Sequence, residues 1–383
     1  MFRVIDDRMQ NRPQMPQNRI QKSKPGDTEN VPPVAKPTAP KQRRIRLIDV
    51  AKEAGVSRVA AGQVLIGTGG PRVRVSDATR QRVLEVAKRL GYRPDRIAQQ
   101  LRGARSQMLG VILDTDNLPV MFERLAALEA ETRRQGYRLM IGQTHGDPLR
   151  ITQYLDDFEG RGVDGIVFLF DLLRGYEDRL GPVFSDRGPV VYHSKALTPN
   201  GACVRVDTAS GIQQSIAHLI DRGRNRIALV LGNIADQKME VRRLGYLLEF
   251  TARNLPIDEE LIWSLESATE VPTREVLDRA IDDLVCKKKV DAMIAVNDVW
   301  AVRLIQRLKD RGFRVPADVA MIGYDNLDLA TVIDPALTTI DQDHPAYAKA
   351  VLDLMQELLE RQEPSVLGRE IVVPPKLIIR EST

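Results

Sequence analysis

The sequence predicts a small all-α headpiece joined to an α/β body of two lobes, each built on a doubly wound parallel sheet. Three observations carry this prediction. Three short helical patterns lie close together between residues 45 and 93. From about residue 109 the pattern changes to short β-rich apolar runs that alternate with amphipathic helical segments. Charge is divided in the same way: residues 1–105 carry 23 Lys/Arg against 9 Asp/Glu, a net +14, and the remaining 278 carry 33 against 43, a net −10. A basic head on an acidic body is the composition of a polyanion-binding module joined to a body with another task. A basic tail with no partner would give the same arithmetic.

The 383 residues allow two or three domains, and a hydrophobic content of 43% suffices for a real core. No apolar run approaches the ~18 residues of a membrane span, so no membrane partner is expected. The N-terminus lacks the apolar stretch of a secretory signal. The two cysteines, Cys203 and Cys286, have no metal-ligand spacing, which argues against a disulfide scaffold or a zinc finger and for a reducing cytoplasm, with no metal or cofactor.

Residues 1–44 hold seven prolines, one aromatic residue and no hydrophobic periodicity, and read as a disordered basic arm. Leu47, Val50, Ala51 and Ala54 then form one apolar face of a first helix. Gly55-Val56 makes a turn, and Ser57 stands where an N-cap belongs for a second helix over about 58–66, with Ala61, Val64 and Leu65 inward. The loop GTGGPRVRV (67–75) follows. Ser76 caps a third helix, 77–90, with Ala78, Val83, Val86, Ala87 and Leu90 available to the core and Gly91 as its stop. In the body, strands are expected at 109–114, 137–142, 163–170, 189–193, 226–232, 290–296 and 319–324, with helices between them at 121–135, 149–161, 208–222, 240–253, 273–287 and 298–311. Apolar strands separated by helices form parallel sheets covered on both faces. The competing TIM barrel lacks an eighth regular βα unit.

Helix, glycine-containing turn and Ser-capped helix make a helix-turn-helix, whose second helix lies in the DNA major groove with its N-terminal residues at base edges. The outward face of that helix is read as Arg58, Val59, Gly62 and Gln63. Arg58 suits guanine or a phosphate, Gln63 has the bidentate geometry for adenine, and Val59 suits a thymine methyl. Arg72, Arg74, Arg80 and Arg82 surround the loop and third helix as phosphate contacts that fix position without reading sequence. A helical bundle with a solvated basic face is the plain alternative.

At this point the sequence resembles the lactose/galactose-repressor family of bacterial transcription regulators. The match is carried by IRLIDVAKEAGVS (45–57), VRVSDATRQRVLEVAKRLGYRPDRIAQQLRGARS (73–106), LGVILD (109–114), RGVDGIVF (161–168), RNRIALVLG (224–232), VNDVWA (296–301), VPADVAMIGYDN (315–326) and LTTIDQD (337–343). The resemblance implies four regions: the arm 1–44, a helix-turn-helix domain 45–93, a hinge helix and linker 94–106, and a two-lobed effector-binding and dimerisation domain 107–383, similar to periplasmic sugar-binding proteins. It implies that Leu101 wedges the central base step of the operator, with Ala98 and Gln99 against the minor groove; inserting an apolar side chain there pays unstacking energy and kinks the duplex.

The departures from the family pattern are as informative. Where relatives usually carry T-V-S-R-V-L-N, this chain has Ala60-Ala61-Gly62-Gln63-Val64-Leu65-Ile66, so Gln63 replaces the usual base-reading arginine. Arg46 stands at the usual Thr N-cap of the first helix. The longer loop with Arg72 and Arg74 suggests that backbone contact has moved there, with Ser57 still present at the helix start.

Open α/β sheets bind ligands beyond the carboxyl ends of their strands. Candidate effector contacts are therefore Asp114 to Asn117, Gln143 to His145, Phe168, Phe170 and His193 from the first lobe. From the second come Asp207, Arg242, Asn297, Asp298 and Asp325. Family position favours Arg242, Asn297 and Asp325, and a planar arginine fork beside carboxylate and amide groups suits a polyol or carboxylate ligand. Capping of the helices that follow them is an equal reading for Asp298 and Asp207, and a satisfied core histidine is the plain alternative for His193. The first loop, DTDNLPVM, lacks the aromatic platform of sugar stacking, for which Phe168, Phe170 or Trp300 would have to substitute. No G-x-S-x-G, P-loop, H-E-x-x-H or G-x-G-x-x-G occurs, so no enzyme is expected. The reading is a cytoplasmic, ligand-responsive repressor that binds a pseudo-palindromic double-stranded operator as a homodimer, with a sugar-like effector. The alternatives are a solute-binding receptor without DNA function and a sugar-processing α/β enzyme.

Overall fold

The computed structural model describes residues 45–67, 74–93, 105–114, 119–145, 147, 149–169, 177–185, 187–198, 201–233, 237–265, 271–360 and 368–383. The chain divides into two compact units, Met1–Pro94 and Asp95–Thr383.

In the first unit, helices α1 (Leu47–Glu53), α2 (Arg58–Ile66) and α3 (Asp77–Leu90) pack around Val50, Ala51, Ala54, Ala61, Val83, Val86 and Ala87. All three helices lie where the sequence pattern puts them, and their ends show why. Asp49 accepts the Arg46 backbone N–H at 2.8 Å, so the carboxylate three residues on closes the first turn although Arg46 is a poor cap. Ser57 Oγ accepts the Ala60 N–H at 3.1 Å and Ser76 Oγ that of Thr79 at 3.3 Å. Gly67 and Gly91 end α2 and α3 at φ 76° and 66°, the left-handed conformation that costs glycine little. Two inward–outward assignments need correction. Gly62 is buried beside Ala61 rather than outward. Ala78, expected in the core, is exposed at the first turn of α3.

The second unit contains β1 (Met108–Leu113), α4 (Pro119–Arg134), β2 (Arg138–Gln143), α5 (Leu149–Gly160), β3 (Gly165–Leu169), α6 (Glu177–Ser185), β4 (Val190–His193), β5 (Ala202–Val206), α7 (Thr208–Asp221), β6 (Ile227–Asn233) and α8 (Gln237–Ala252). It continues through β7 (Ile262–Leu265), α9 (Arg274–Ala280), β8 (Ala292–Ala295), α10 (Asp298–Asp310), β9 (Ala320–Tyr324), α11 (Leu329–Val332), β10 (Thr338–Asp341), α12 (His344–Glu360), β11 (Glu370–Val373) and β12 (Lys376–Ile378). Among the described residues these make two six-stranded sheets, ordered β11-β5-β4-β3-β1-β2 and β12-β10-β9-β8-β6-β7. Every pairing is parallel except β10 with β12. The seven expected strands are present, and the sheets gain β5, β7, β10, β11 and β12. The helix expected over 273–287 is α9 followed by a π-helical segment, Ile281–Lys287.

The first sheet is covered on both faces, and the strand period of two sorts its side chains. Val111, Val167, Leu169, Val191 and Val204 face α4 and α12, meeting Leu128, Val351 and Met355. Ile112, Ile166, Phe168 and Tyr192 face α5 and α6, meeting Leu155, Phe158, Leu180 and Phe184. Gly110 allows the closest approach: a Cβ there would lie 2.3 Å from a Phe158 ring carbon. The second lobe has its own core around β6, β8, β9, α7 and α10, with Trp300 at its centre. The chain passes between lobes three times, after β5, between β10 and α12, and between β11 and β12. The residues of these crossings include Asp207 and Gln342.

Candidate functional site

The headpiece presents a set of basic and polar side chains on α2, α3 and the segment before α3. Ser57 is committed to capping α2. Behind that cap Arg58 and Val59 stand exposed in the first turn, which contains no acidic residue. Arg74 and Arg80 are exposed, as is Arg82, whereas Gln63 is half-buried. Arg72 and the hinge residues Ala98, Gln99 and Leu101 lie outside the described residues, as do the arm and Asn117.

In the body the centre of the polar cluster is a residue that the sequence reading did not select. On α4 the buried positions are Val120, Met121, Arg124, Leu128 and Thr132, a stripe at helical spacing in which one member is charged. Arg124 is 2% exposed. Its Nη1 bonds His193 Nε2 at 2.9 Å, its Nη2 donates to Gln342 Oε1 at 2.6 Å, and its Cζ lies 4.8 Å from the centre of the Tyr347 ring. A guanidinium has donors only, so His193 Nε2 is the acceptor. The proton of that imidazole therefore sits on Nδ1, which bonds Tyr347 Oη at 2.8 Å. The amide of Gln342 continues the chain: its Nε2 donates to Asp325 Oδ1 at 2.5 Å. The relay His193–Arg124–Gln342–Asp325 thus runs from the first lobe, through the second crossing, to the end of β9 in the second lobe.

Asp325 is held at φ 109°, a costly conformation for a residue with a Cβ, and it is almost fully buried. Beside it Asp298, wholly buried, accepts the Leu327 N–H at 2.8 Å and bonds the Thr339 hydroxyl at 2.5 Å. Burial, and then the neighbouring Asp325 carboxylate, push the Asp298 carboxyl up to about 8. Asp298 is therefore mostly protonated at neutral pH. Arg242 on α8 is 7% exposed and lies over the Tyr324 ring at 4.7 Å. His344 opens α12 with both ring nitrogens buried and unbonded; burial first, then the charge of Arg124, lowers it to about 4, so its imidazole is neutral. An apolar contact joins the lobes next to this cluster, with Val120 and Met121 of α4 against Leu327, Val299 and Leu329.

Of the residues chosen from sequence, the structure brings Arg242, Asp325 and His193 into this region. Asn297 is the N-cap of α10: its Oδ1 accepts the Trp300 N–H at 2.9 Å. Asp207 likewise caps α7 through the Ser210 N–H at 3.3 Å. Asp114 and His145 follow β1 and β2; Thr144 donates to the Asp114 carboxylate at 2.9 Å, and His145 is exposed at φ 52°. Phe168 is a correction. It lies on the helix-covered face of β3, packed edge-on to Phe184 at 4.9 Å, inside the first lobe's core rather than at a cleft. Trp300 is likewise core, 6.4 Å from the Trp263 ring centre. The sheet faces are doubly covered, so large aromatics on strands point into helices, not toward ligand. Among the described residues no His, Cys, Asp or Glu group could hold a metal ion, and no helix is long and apolar enough to cross a membrane.

Comparison with known proteins places both units. Residues 46–95 match the family model for bacterial regulatory proteins of the lacI family, and residues 216–383 match the periplasmic binding protein-like domain. The transcriptional regulator DegA of Bacillus subtilis is 31% identical over 349 residues, covering 88% of this chain and 97% of DegA. The PurR repressor of Mannheimia succiniciproducens is 28% identical, covering 87% and 97%. Among solved structures, the lac repressor dimer bound to operator and the anti-inducer ONPF superposes with a TM-score of 0.72 at 22% identity, covering 89% of this chain and 99% of that one. The complex of the regulator CelR with cellobiose gives 0.62 at 25%, covering 89% and 100%. The fold expected from sequence is therefore present, the receptor and enzyme alternatives fall away, and the chain belongs to the lacI family of DNA-binding bacterial transcription regulators.

Proposed function

We propose that this regulator binds a pseudo-palindromic operator as a homodimer, and that a small-molecule effector in the cleft between the lobes of the body sets its affinity for DNA. The observation that carries the effector reading is the relay His193–Arg124–Gln342–Asp325, which ties the two lobes through a crossing segment. Closing or opening the lobes must make or break it, so a ligand that binds one arrangement better shifts the equilibrium. Arg242, Asn297 and Asp325 are the side chains assigned to ligand hydroxyl or carboxylate groups, with a sugar or sugar derivative as the ligand class.

Two-fold symmetry of the protein calls for matched half-sites in the operator. Self-association is supported by exposed apolar side chains on α8, where Val241, Leu244 and Leu248 share one face at i, i+3 and i+7, and by Phe122 and Ile141 on the first lobe. In each half-site Arg58, Val59 and Gln63 read base edges, Arg72, Arg74 and Arg80 hold phosphates, and Leu101 enters the central minor-groove step with Ala98 and Gln99 beside it. The test is selection of bound sequences from random duplex DNA by the purified full chain at fixed salt. A palindrome with a flexible central step supports the reading. Enrichment of a single unrepeated site, or none with and without cell extract, refutes it.

A further inference from the structure

Arg124 and Arg242 are both more than nine-tenths buried, one from each lobe, and each has an Nε with no hydrogen-bond partner. Neither guanidinium meets a carboxylate among the described residues. The partners of Arg124 are an imidazole that must be the neutral acceptor, an amide oxygen and an aromatic face. Among the described residues Arg242 lies over the Tyr324 ring. The carboxylate of Asp325 reaches Arg124 only through the Gln342 amide. A single buried carboxylate, Asp325, thus stands near two buried guanidinium groups and touches Arg124 only through an amide, and buried charges so imperfectly paired are costly. His344, with two buried and unbonded ring nitrogens, adds a neutral donor and acceptor close enough to Arg124 to feel its charge.

We propose that the effector carries an oxyanion, a carboxylate or phosphate on a small polyol, and that Arg124 is the residue that selects for it together with Arg242. This rests on the reading that the cleft holds the effector. An arginine fork matches two oxygens of either group, and an oxyanion placed between the two forks would neutralise charge from both lobes at once. The apolar Val120-Met121 segment, which offers no aromatic platform, closes over the polyol by contact rather than stacking.

The test uses the full chain and thermal unfolding in matched buffers of equal ionic strength. At 20 mM, acetate or inorganic phosphate in place of chloride should raise the unfolding temperature by a few degrees. The rise should vanish in Arg124→Met, which keeps an unbranched apolar stem and removes the charged fork, and should persist in part in Arg124→Lys. Equal unfolding temperatures in chloride and in both oxyanions overturn the proposal, as does an undiminished response in Arg124→Met; the first criterion stands even if the variant does not fold. A second arm compares gluconate and glucose 6-phosphate with glucose, and galacturonate with galactose. Preference for the acids or for the phosphate ester identifies the source of the anion, with at least a tenfold loss of that preference in Arg124→Met. A neutral sugar that stabilises as strongly as its anionic counterpart overturns the proposal. If such a neutral sugar also changes operator affinity, the effector-controlled regulator stands and only its ligand chemistry is refuted.

Discussion

Replacing Asp298 by asparagine isolates the most perturbed carboxyl of the buried polar cluster. In the folded protein burial pushes this group up to about 8, against 3.8 for an ordinary exposed aspartate. Below 3.8 both folded and unfolded chains hold the proton, and the group's contribution to stability is fully present. Between 3.8 and 8 the unfolded chain releases the proton while the folded chain keeps it, so stability is lost as pH rises, by up to about 1.4 kcal/mol per pH unit. Above 8 both states are ionised and the loss is complete, roughly 6 kcal/mol as an upper bound. Asparagine imitates the protonated carboxyl: its oxygen accepts the Leu327 N–H and its nitrogen donates to Thr339 Oγ1, the two partners that Asp298 has. The wild type should therefore lose stability between pH 5.5 and 7.5 relative to Asp298→Asn, by about 2–3 kcal/mol. Urea unfolding of the full chain at pH 5.5, 6.5, 7.5 and 8.5 measures this as a converging or crossing pair of curves. A constant offset between the two proteins across that range would show that Asp298 does not hold its proton.

Further perturbations test the other parts of the account. Ser57→Ala removes the cap of α2 and should cost about 1 kcal/mol of headpiece stability, read as faster amide exchange over residues 58–66 with the body unchanged. Gln63→Ala should relax specificity at one base position per half-site; an unaltered selected operator would count against its role. Arg242→Ala should abolish the effector response and leave DNA binding intact, measured by operator titration with and without the ligand. Gly110→Ala drives a methyl group into the Phe158 ring and should destabilise by about 1–3 kcal/mol, with Gly110→Ala plus Phe158→Leu recovering part of the loss in the same unfolding assay.

The headpiece was almost wholly legible because its helices announce their own ends: Ser57, Ser76, Gly67 and Gly91 are local signals that act within three or four residues. What failed there, the placement of Gly62 and Ala78, depends on how closely helices approach one another, which no local signal encodes. In the body the long apolar strands were readable, whereas β10, β11 and β12 are three or four residues long and include polar positions such as Thr338, Glu370 and Lys376. Their state is decided by the neighbour they pair with. Of the sequence candidates, Asp325 and His193 at strand ends and Arg242, marked by family position, fall in the polar cluster around Arg124. Arg124 was passed over because it sits inside a helix among apolar neighbours; its charge at a core position of the Val120–Leu128 stripe was the signal that would have found it. Phe168 was chosen for its strand position without regard to face, and the period of two sends it into the core. Asp207 takes the helix-cap alternative that its position before 208–222 offers, and the Asn297 side-chain oxygen also caps a helix, a role that the same residue types serve as well as ligand binding.

The most direct test of the account measures the coupling between its two halves. A fluorescent duplex carrying the selected operator is titrated with the full chain at fixed salt, alone and with a saturating small molecule already shown by thermal unfolding to bind. The account predicts a change in Kd of about 5- to 150-fold, the usual span of allosteric coupling, reduced to no change in Arg242→Ala. An operator Kd that stays the same at ligand saturation would contradict it: the cleft would then bind a molecule without informing the headpiece.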